Sequence, residues 1–319
     1  MVKYSGALSI GTLEIKKLHS RPDHLNVTVE TLDCRRSQDN GLAMGDLAKS
    51  KPFLKWAGGK RWLADHPLFN IPNYPGRYLE PFLGGGAIYF SHCPANAILS
   101  DLNSRLIEVY RAIQSDWSGV WAALQRHQQK HSKDYYYFQR DHNESDPILN
   151  ASRFLYLNRA CWNGLYRENL AGRFNVPIGT KSQIIFENDN FELASSLLSG
   201  ASIRCCDFEE TVDRADNGDF LFVDPPYTVA HNTNGFVKYN EKIFSWDDQL
   251  RLKSAIQRAI HRGVYVALTN ADHPSIRSLY EGVMESLPIH RASVISGSNK
   301  GRVSTSELLM TSFDAMGVA

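Results

Sequence analysis

No stretch of this 319-residue chain approaches 18 consecutive apolar residues, so the sequence offers no transmembrane helix. Its first segment, MVKYSGALSIGTLEIKK, has neither an unbroken apolar run nor a convincing cleavage site, which speaks against a secretory signal. Cysteine is scarce: Cys34, Cys93, Cys161, Cys205 and Cys206 make an odd count without a C-x-x-C pair. That excludes a disulfide framework and a cysteine zinc site, and leaves reduced thiols in the cytoplasm as the expectation. Neither sign of charge prevails, with 35 Lys and Arg against 34 Asp and Glu. A uniformly basic coat for nucleic acid is thereby excluded, but a local basic face is not. The eleven histidines form no ligand cluster; His127 and His131 have i, i+4 spacing, but no H-E-x-x-H accompanies them, so no metal is expected. There is no internal repeat, and 43% hydrophobic residues exclude wholesale disorder.

What the chain does contain is alternation. From Tyr78 onward, short apolar runs end in Gly, Asp or Asn: RYLEP before FLGGG, AILS before Asp101, ASIRCC before Asp207, DFLFV before Asp224, VYVALT before Asn270. Helical patterns follow several of them. Leu252, Ala255, Ile256, Ala259 and Ile260 form one apolar stripe, which predicts a crossover helix over 247–262. The expected fold class is α/β, a mostly parallel sheet with helices on both faces and ligands at the carboxyl ends of the strands. Residues 111–182, rich in Trp, Tyr, Gln, Asn and Arg, break the alternation and read as an inserted helical subdomain. Residues 51–110 and 183–319 then form the main domain. Residues 1–50 carry β-like runs over 7–15 and 25–32 but no motif. Two readings stand equal: the working chain starts at Met44, or 1–50 is an accessory extension.

Three motifs carry chemistry. In FLKWAGGK (53–60), the glycines let backbone approach a ligand, Lys60 supplies a charge and Trp56 a ring. A phosphate-binding P-loop would need Gly at 54 and Ser or Thr at 61, where Leu54 and Arg61 stand. In EPFLGGG (80–86), Gly84 and Gly86 follow a strand and open a helix, so a ligand can rest against its N-terminus. Asp101, ending the next strand, suits ribose hydroxyls. In Asp224-Pro225-Pro226-Tyr227, two prolines stiffen a strand end, so the Asp224 carboxylate and the Pro225 carbonyl are acceptors held beside an aromatic ring. That arrangement suits a substrate amino group on a flat ring.

KWAGGK, EPFLGGG, DLN, NRACWNGLYRENLAGRFNVPIG and DPPY occur in this order, and together they resemble the Dam-type, D12-class DNA adenine-N6 methyltransferases over about residues 51–313. The resemblance implies a class I methyltransferase with a Rossmann-like sheet, S-adenosylmethionine as cofactor and an inserted target-recognition domain. It implies that Trp56, Lys60, Asp101 and Asp224 contact the cofactor, and that Asp207 and Phe208 hold its adenine. It implies double-stranded DNA as partner, methyl transfer to an extruded adenine held by Asp224, Pro225, Pro226 and Tyr227, and no membrane. It also admits a cognate restriction endonuclease as a partner.

The DNA face should be the insert. Between Ser152 and Lys181, Arg153, Arg159, Arg167, Arg173 and Lys181 face the single acid Glu168, with Tyr156, Trp162, Tyr166 and Phe174 interleaved. By resemblance, Leu165, Arg167 and Pro177 fall where members that read GATC contact bases, although this sequence departs at Trp162, Tyr166, Glu168, Ala171 and Arg173. Arg173 is a further candidate contact. Lys300 and Arg302, in a Ser/Gly-rich loop before the last strand, are expected at the DNA backbone. Alternatives are a cytosine-N4 DNA methyltransferase, a protein glutamine methyltransferase and a catalytically inactive DNA-binding regulator.

Overall fold

The computed structural model describes residues 51–142, 144–164, 166–169, 172–230, 244–292 and 304–314. The extension 1–50, with both readings of Met44, lies outside the described residues, as do Leu165, Lys300 and Arg302.

The five anticipated strands are β1 (Tyr78–Glu80), β2 (Ala97–Asp101), β3 (Ala201–Cys205), β4 (Phe220–Val223) and β5 (Tyr265–Ala271). With β6 (Glu285–Ala292) and β7 (Ser304–Thr311) they form one sheet in the order β3-β2-β1-β4-β5-β7-β6. Pairing from β3 to β5 is parallel; β7 runs antiparallel to β5 and to β6. β6 was not anticipated. Its segment ESLPIHRA carries a proline and little apolar alternation, which an edge strand tolerates because one side makes no ladder bonds.

Alternate strand residues feed two cores. Phe220 and Phe222 of β4 face one, Leu221 and Val223 the other. Such strands, buried on both faces, are continuous apolar runs, as a parallel sheet between helices requires. α1 (Arg61–Ala64) and α2 (Ala87–His92) flank the first two glycine motifs; α3 (Ser104–Lys130) and α6 (Phe191–Leu198) cover the first face. α7 (Phe208–Val212), α8 (Trp246–His261) and α9 (Pro274–Tyr280) cover the second. α8 is the anticipated crossover helix, starting in a capping box between Ser245 and Asp248 and burying Leu252, Ala255, Ile256 and Ala259.

α4 (Lys133–Asp141) and α5 (Pro147–Ala160) lie in the segment read as an insert. α3 passes without a break through the expected junction at 110/111. It kinks at Asp116, whose φ of −152° is extended, and the Asp116 carboxylate accepts from the Gly119 amide to restart the helix. Before the kink α3 is tied to β3 and the end of α6: Arg111 donates to the Ile203 carbonyl, Gln114 to those of Leu198 and Ala201. Beyond the kink, Gln128 donates to the Ser182 carbonyl and accepts from the Ile184 amide. No described helix is long and apolar enough to cross a membrane.

Candidate active site

Strand order reverses at β1, which pairs with β2 on one side and β4 on the other. A crevice opens at such a point beyond the strand ends. EPFLGGG leaves β1 there and Asp224-Pro225-Pro226-Tyr227 leaves β4. Because β7 is antiparallel, its first residues reach the same edge.

Lys60, only 4% exposed, is the hub. Its Nζ lies 2.9 Å from Asp224 Oδ1, 3.6 Å from Glu307 Oε2 and 4.8 Å from the centre of the Tyr227 ring, and donates to the Gly58 carbonyl. Asp224 Oδ1 also accepts from the Thr269 hydroxyl at 2.7 Å, so among the described residues Oδ2 is the oxygen left for a ligand. Burial raises the Asp224 carboxyl above its ordinary range, and Lys60 partly offsets the shift. The Tyr227 hydroxyl donates to Glu307 Oε2 at 2.7 Å. Burial, followed by the charges of Asp224 and Glu307, holds that phenol protonated.

The glycine turn is built round Asp101. Its Oδ2 accepts from the Gly84 amide at 3.0 Å and its Oδ1 from the Asn103 amide at 2.9 Å. Gly84 and Gly86 have φ of 46° and 64°, left-handed backbone that suits glycine. A Cβ on Gly84 would lie 2.7 Å from the Trp56 indole, and one on Gly86 2.9 Å from the Tyr110 hydroxyl. Glu80, buried just before the turn, accepts from the Tyr78 hydroxyl at 2.8 Å, and desolvation pushes its carboxyl up to about 8. At the end of β3, Asp207 caps α7 through the Glu209 amide and pairs with Arg251 at 2.8 Å; the Arg251 guanidinium lies 4.8 Å from the Phe208 ring centre.

The strap carrying Lys60 is held from α5. Asn158 accepts from the Lys55 amide and donates to the Lys55 carbonyl. Arg159, 1% exposed, donates to the carbonyls of Phe53 and Ile184 and forms a two-pronged ion pair with Asp189. Trp56 stacks on Tyr166 at 5.6 Å, and Tyr166 stacks on Phe154 at 4.5 Å.

These contacts correct part of the DNA-face expectation. Arg159 is an internal tie and has no surface to offer a phosphate. Arg153 is spent on the carbonyls of Gln139 and Arg140. Tyr156 and Phe174 are buried, and Tyr166 packs inward between Trp56 and Phe154. Exposed on one hairpin-like segment are Trp162, Arg167, Arg173 and Pro177, with Asn163, Asn169 and Asn175. Over 173–177 the exposure alternates, Phe174 and Val176 inward, as an extended segment over a core should. Cys161 bridges Ile178 and Glu168 bridges Phe174, which closes the segment on itself. Burial and the neighbouring Lys181 lower Lys55 to about 8, a cation held close to the hairpin base.

Three residues of this geometry escaped sequence reasoning: Glu307, Thr269 and Asn158. Glu307 had a faint signal, a lone acid in the apolar run LLM of the last strand. The residues His127 and His131, which had metal-like spacing, hydrogen-bond to Tyr135 and Tyr156, and no candidate metal cluster occurs among the described residues.

Comparison with known proteins decides the family. Residues 56–294 match the D12 class N6 adenine-specific DNA methyltransferases. The chain belongs to that family. It is 34% identical to the type II methyltransferase M1.LlaDCHI of Lactococcus lactis subsp. cremoris over 273 residues, 82% of this chain and 95% of the relative. It is 32% identical to the DNA adenine methylase of Escherichia coli strain K12 over 240 residues, covering 74% and 86% respectively. The DNA adenine methylase of Vibrio cholerae strain O395 is 31% identical over 269 residues, covering 82% and 96%. Methylation of adenine N6 in DNA is thus the activity of this D12-class chain, and the Lys60–Asp224–Tyr227 cluster stands on its DPPY motif.

Proposed function

We propose that this D12-class enzyme takes its methyl group from S-adenosylmethionine and delivers it to an adenine extruded from duplex DNA onto the Asp224-Pro225-Pro226-Tyr227 corner. The observation that carries this reading is the Asp224 carboxylate at the switch point, with Oδ1 engaged by Lys60 and Thr269 and Oδ2 open to a ligand. The residues present fit the cofactor. The left-handed glycine turn, packed so closely on Trp56 and the Tyr110 hydroxyl that it admits no Cβ, leads to half-buried Asp101, and acids recur at the edge in Asp207 and Asp224, matching a molecule with a sulfonium, an ammonium and ribose hydroxyls. Trp56, Lys60, Gly84, Gly86, Asp101 and Asp224 would line its site, and Asp207 and Phe208 would flank its adenine. When bound, the cofactor supplies a methyl group activated by a sulfonium.

The chain's own residues deal with the amine. An adenine N6 is a poor nucleophile because its lone pair is delocalised into the ring. Its two N–H groups donating to Asp224 Oδ2 and the Pro225 carbonyl localise that pair and direct it. Positive charge grows on N6 during transfer, so acceptors fixed beforehand favour the transition state over the ground state. Extrusion costs a few kcal/mol, which stacking on the Tyr227 ring partly offsets.

The exposed hairpin with Arg167, Arg173 and Pro177 is the surface offered to DNA, and 111–182 is the target-recognition insert. GATC is the target proposed, from the resemblance of LYRENLAGRFNVP to GATC readers. The name of the Lactococcus relative supports a restriction endonuclease as a partner.

Incubation with labelled S-adenosylmethionine and unmethylated plasmid, followed by nucleoside analysis, tests this. N6-methyladenine is expected. N4-methylcytosine, or a gel shift without transfer, would overturn the reading.

A further inference from the structure

Glu307 is 2% exposed, at the start of β7, eighty residues after Tyr227 in the chain. Burying a carboxylate beside Leu308, Leu309 and Met310 costs several kcal/mol unless its partners compensate, and an apolar residue of similar size would serve the strand better. Among its partners are two groups that stand beside Asp224, Lys60 and Tyr227. The carboxylate accepts from the Tyr227 hydroxyl at 2.7 Å and lies 3.6 Å from the Lys60 ammonium, which itself reaches Asp224 at 2.9 Å and lies over the Tyr227 ring. One carboxylate oxygen thus holds the ring by its hydroxyl and also faces the cation that lies over that ring.

We propose that Glu307 is a positioning residue for methyl transfer: through Tyr227 it sets the plane against which the extruded adenine rests, and through Lys60 it keeps the Asp224 carboxylate turned toward the amine. The inference rests on the reading of Asp224 and Tyr227 as the adenine-handling pair. A ring whose hydroxyl is held less firmly rocks more about its side-chain torsions, and a displaced stack misaims N6. Such misalignment lowers the rate of the bound complex more than the affinity of either substrate. Glu307 itself touches neither substrate.

The test compares the full-length chain with Glu307→Gln, Tyr227→Phe and the double variant, using labelled methyl transfer to duplex DNA from a host without adenine methylation. Cofactor affinity and melting temperature are measured on each. Glu307→Gln is expected to lower kcat by about tenfold to a hundredfold, because Gln keeps an oxygen for the Tyr227 hydroxyl but loses the charge that strengthens that bond and holds Lys60. KM for cofactor and for DNA should stay within about twofold, as expected where an interaction serves only the transition state. The double variant should be slower by less than the product of the two single fold-changes, because both act on the same hydrogen bond, which Gln keeps only in its weaker neutral form. A merely structural role would lower the melting temperature without that non-additivity. A kcat for Glu307→Gln within about twofold of the unaltered chain, or fold-changes that multiply in the double variant, would overturn the inference and leave the parent reading standing. Should Glu307→Gln fail to fold, Tyr227→Phe decides: a slower kcat at unchanged KM supports the inference, an unchanged kcat overturns it. No transfer by the unaltered chain would overturn the parent reading and this inference together.

Discussion

A carboxylate that must accept from a neutral amine works only while ionised, so the electrostatics of Asp224 set the acid limit of the reaction. Burial opposes its charge, Glu307 adds to the opposition, and Lys60 and Thr269 relieve it; burial prevails and the carboxyl titrates above its usual range. Transfer should therefore fall as acid is added, at a pH above the ~4 of an ordinary carboxylate. A kcat–pH profile checks this, and a plateau that persists down to about pH 4 would contradict it. Glu80 makes a second prediction, for stability. Its carboxyl moves from 4.5 to about 8 on folding, chiefly by desolvation. Between those values the unfolded chain releases the proton while the folded chain keeps it, so stability falls as pH rises through the window. Glu80→Gln removes the titration and keeps an oxygen for the Tyr78 hydroxyl. Its melting temperature relative to the unaltered chain should climb between pH 5 and pH 8; a constant difference would refute the assignment.

Elements meet at the strap over 53–60, which brings Lys60 to Asp224 at the strand ends but is held by α5. Asn158 grips the Lys55 backbone, and Arg159 ties Phe53, Ile184 and Asp189 together in a site without solvent. Asp189→Ala would leave a buried guanidinium without its carboxylate, a loss of about 3–5 kcal/mol measurable by urea unfolding. A loss under ~1 kcal/mol would show the pair to be solvated after all. Trp56 extends the same linkage, its edge against Gly84 and its face against Tyr166 of the hairpin. The glycine turn and the exposed segment carrying Arg167 and Arg173 therefore share a ring, and kinked α3 packs against both the sheet and α5 rather than dividing them.

For the whole molecule, the parallel half was legible because its strands are short apolar runs ending in Asp, Gly or Asn, and α8 because its stripe repeats at 3.6. Of the antiparallel edge only a last strand was: Pro288 and mixed polarity hide β6, and β7 then brings Glu307 to a site eighty residues upstream, which no local pattern encodes. The corner at Asp224 was readable from stiff backbone and an aromatic neighbour. The inward turn of Tyr166, Arg153 and Arg159 was not, since charge and aromatic content look alike on a DNA face and in a tied interior. Only burial separates them.

Asp224 as the acceptor of the target amine is the role on which every other assignment in the site depends. Single-turnover methyl transfer by Asp224→Ala, with preformed DNA complex and saturating S-adenosylmethionine, measures that directly. Glu307 remains as a partner for Lys60, so the fold should survive. The rate should drop by about a thousandfold or more while DNA binding persists. A rate within about tenfold of the unaltered chain would contradict it.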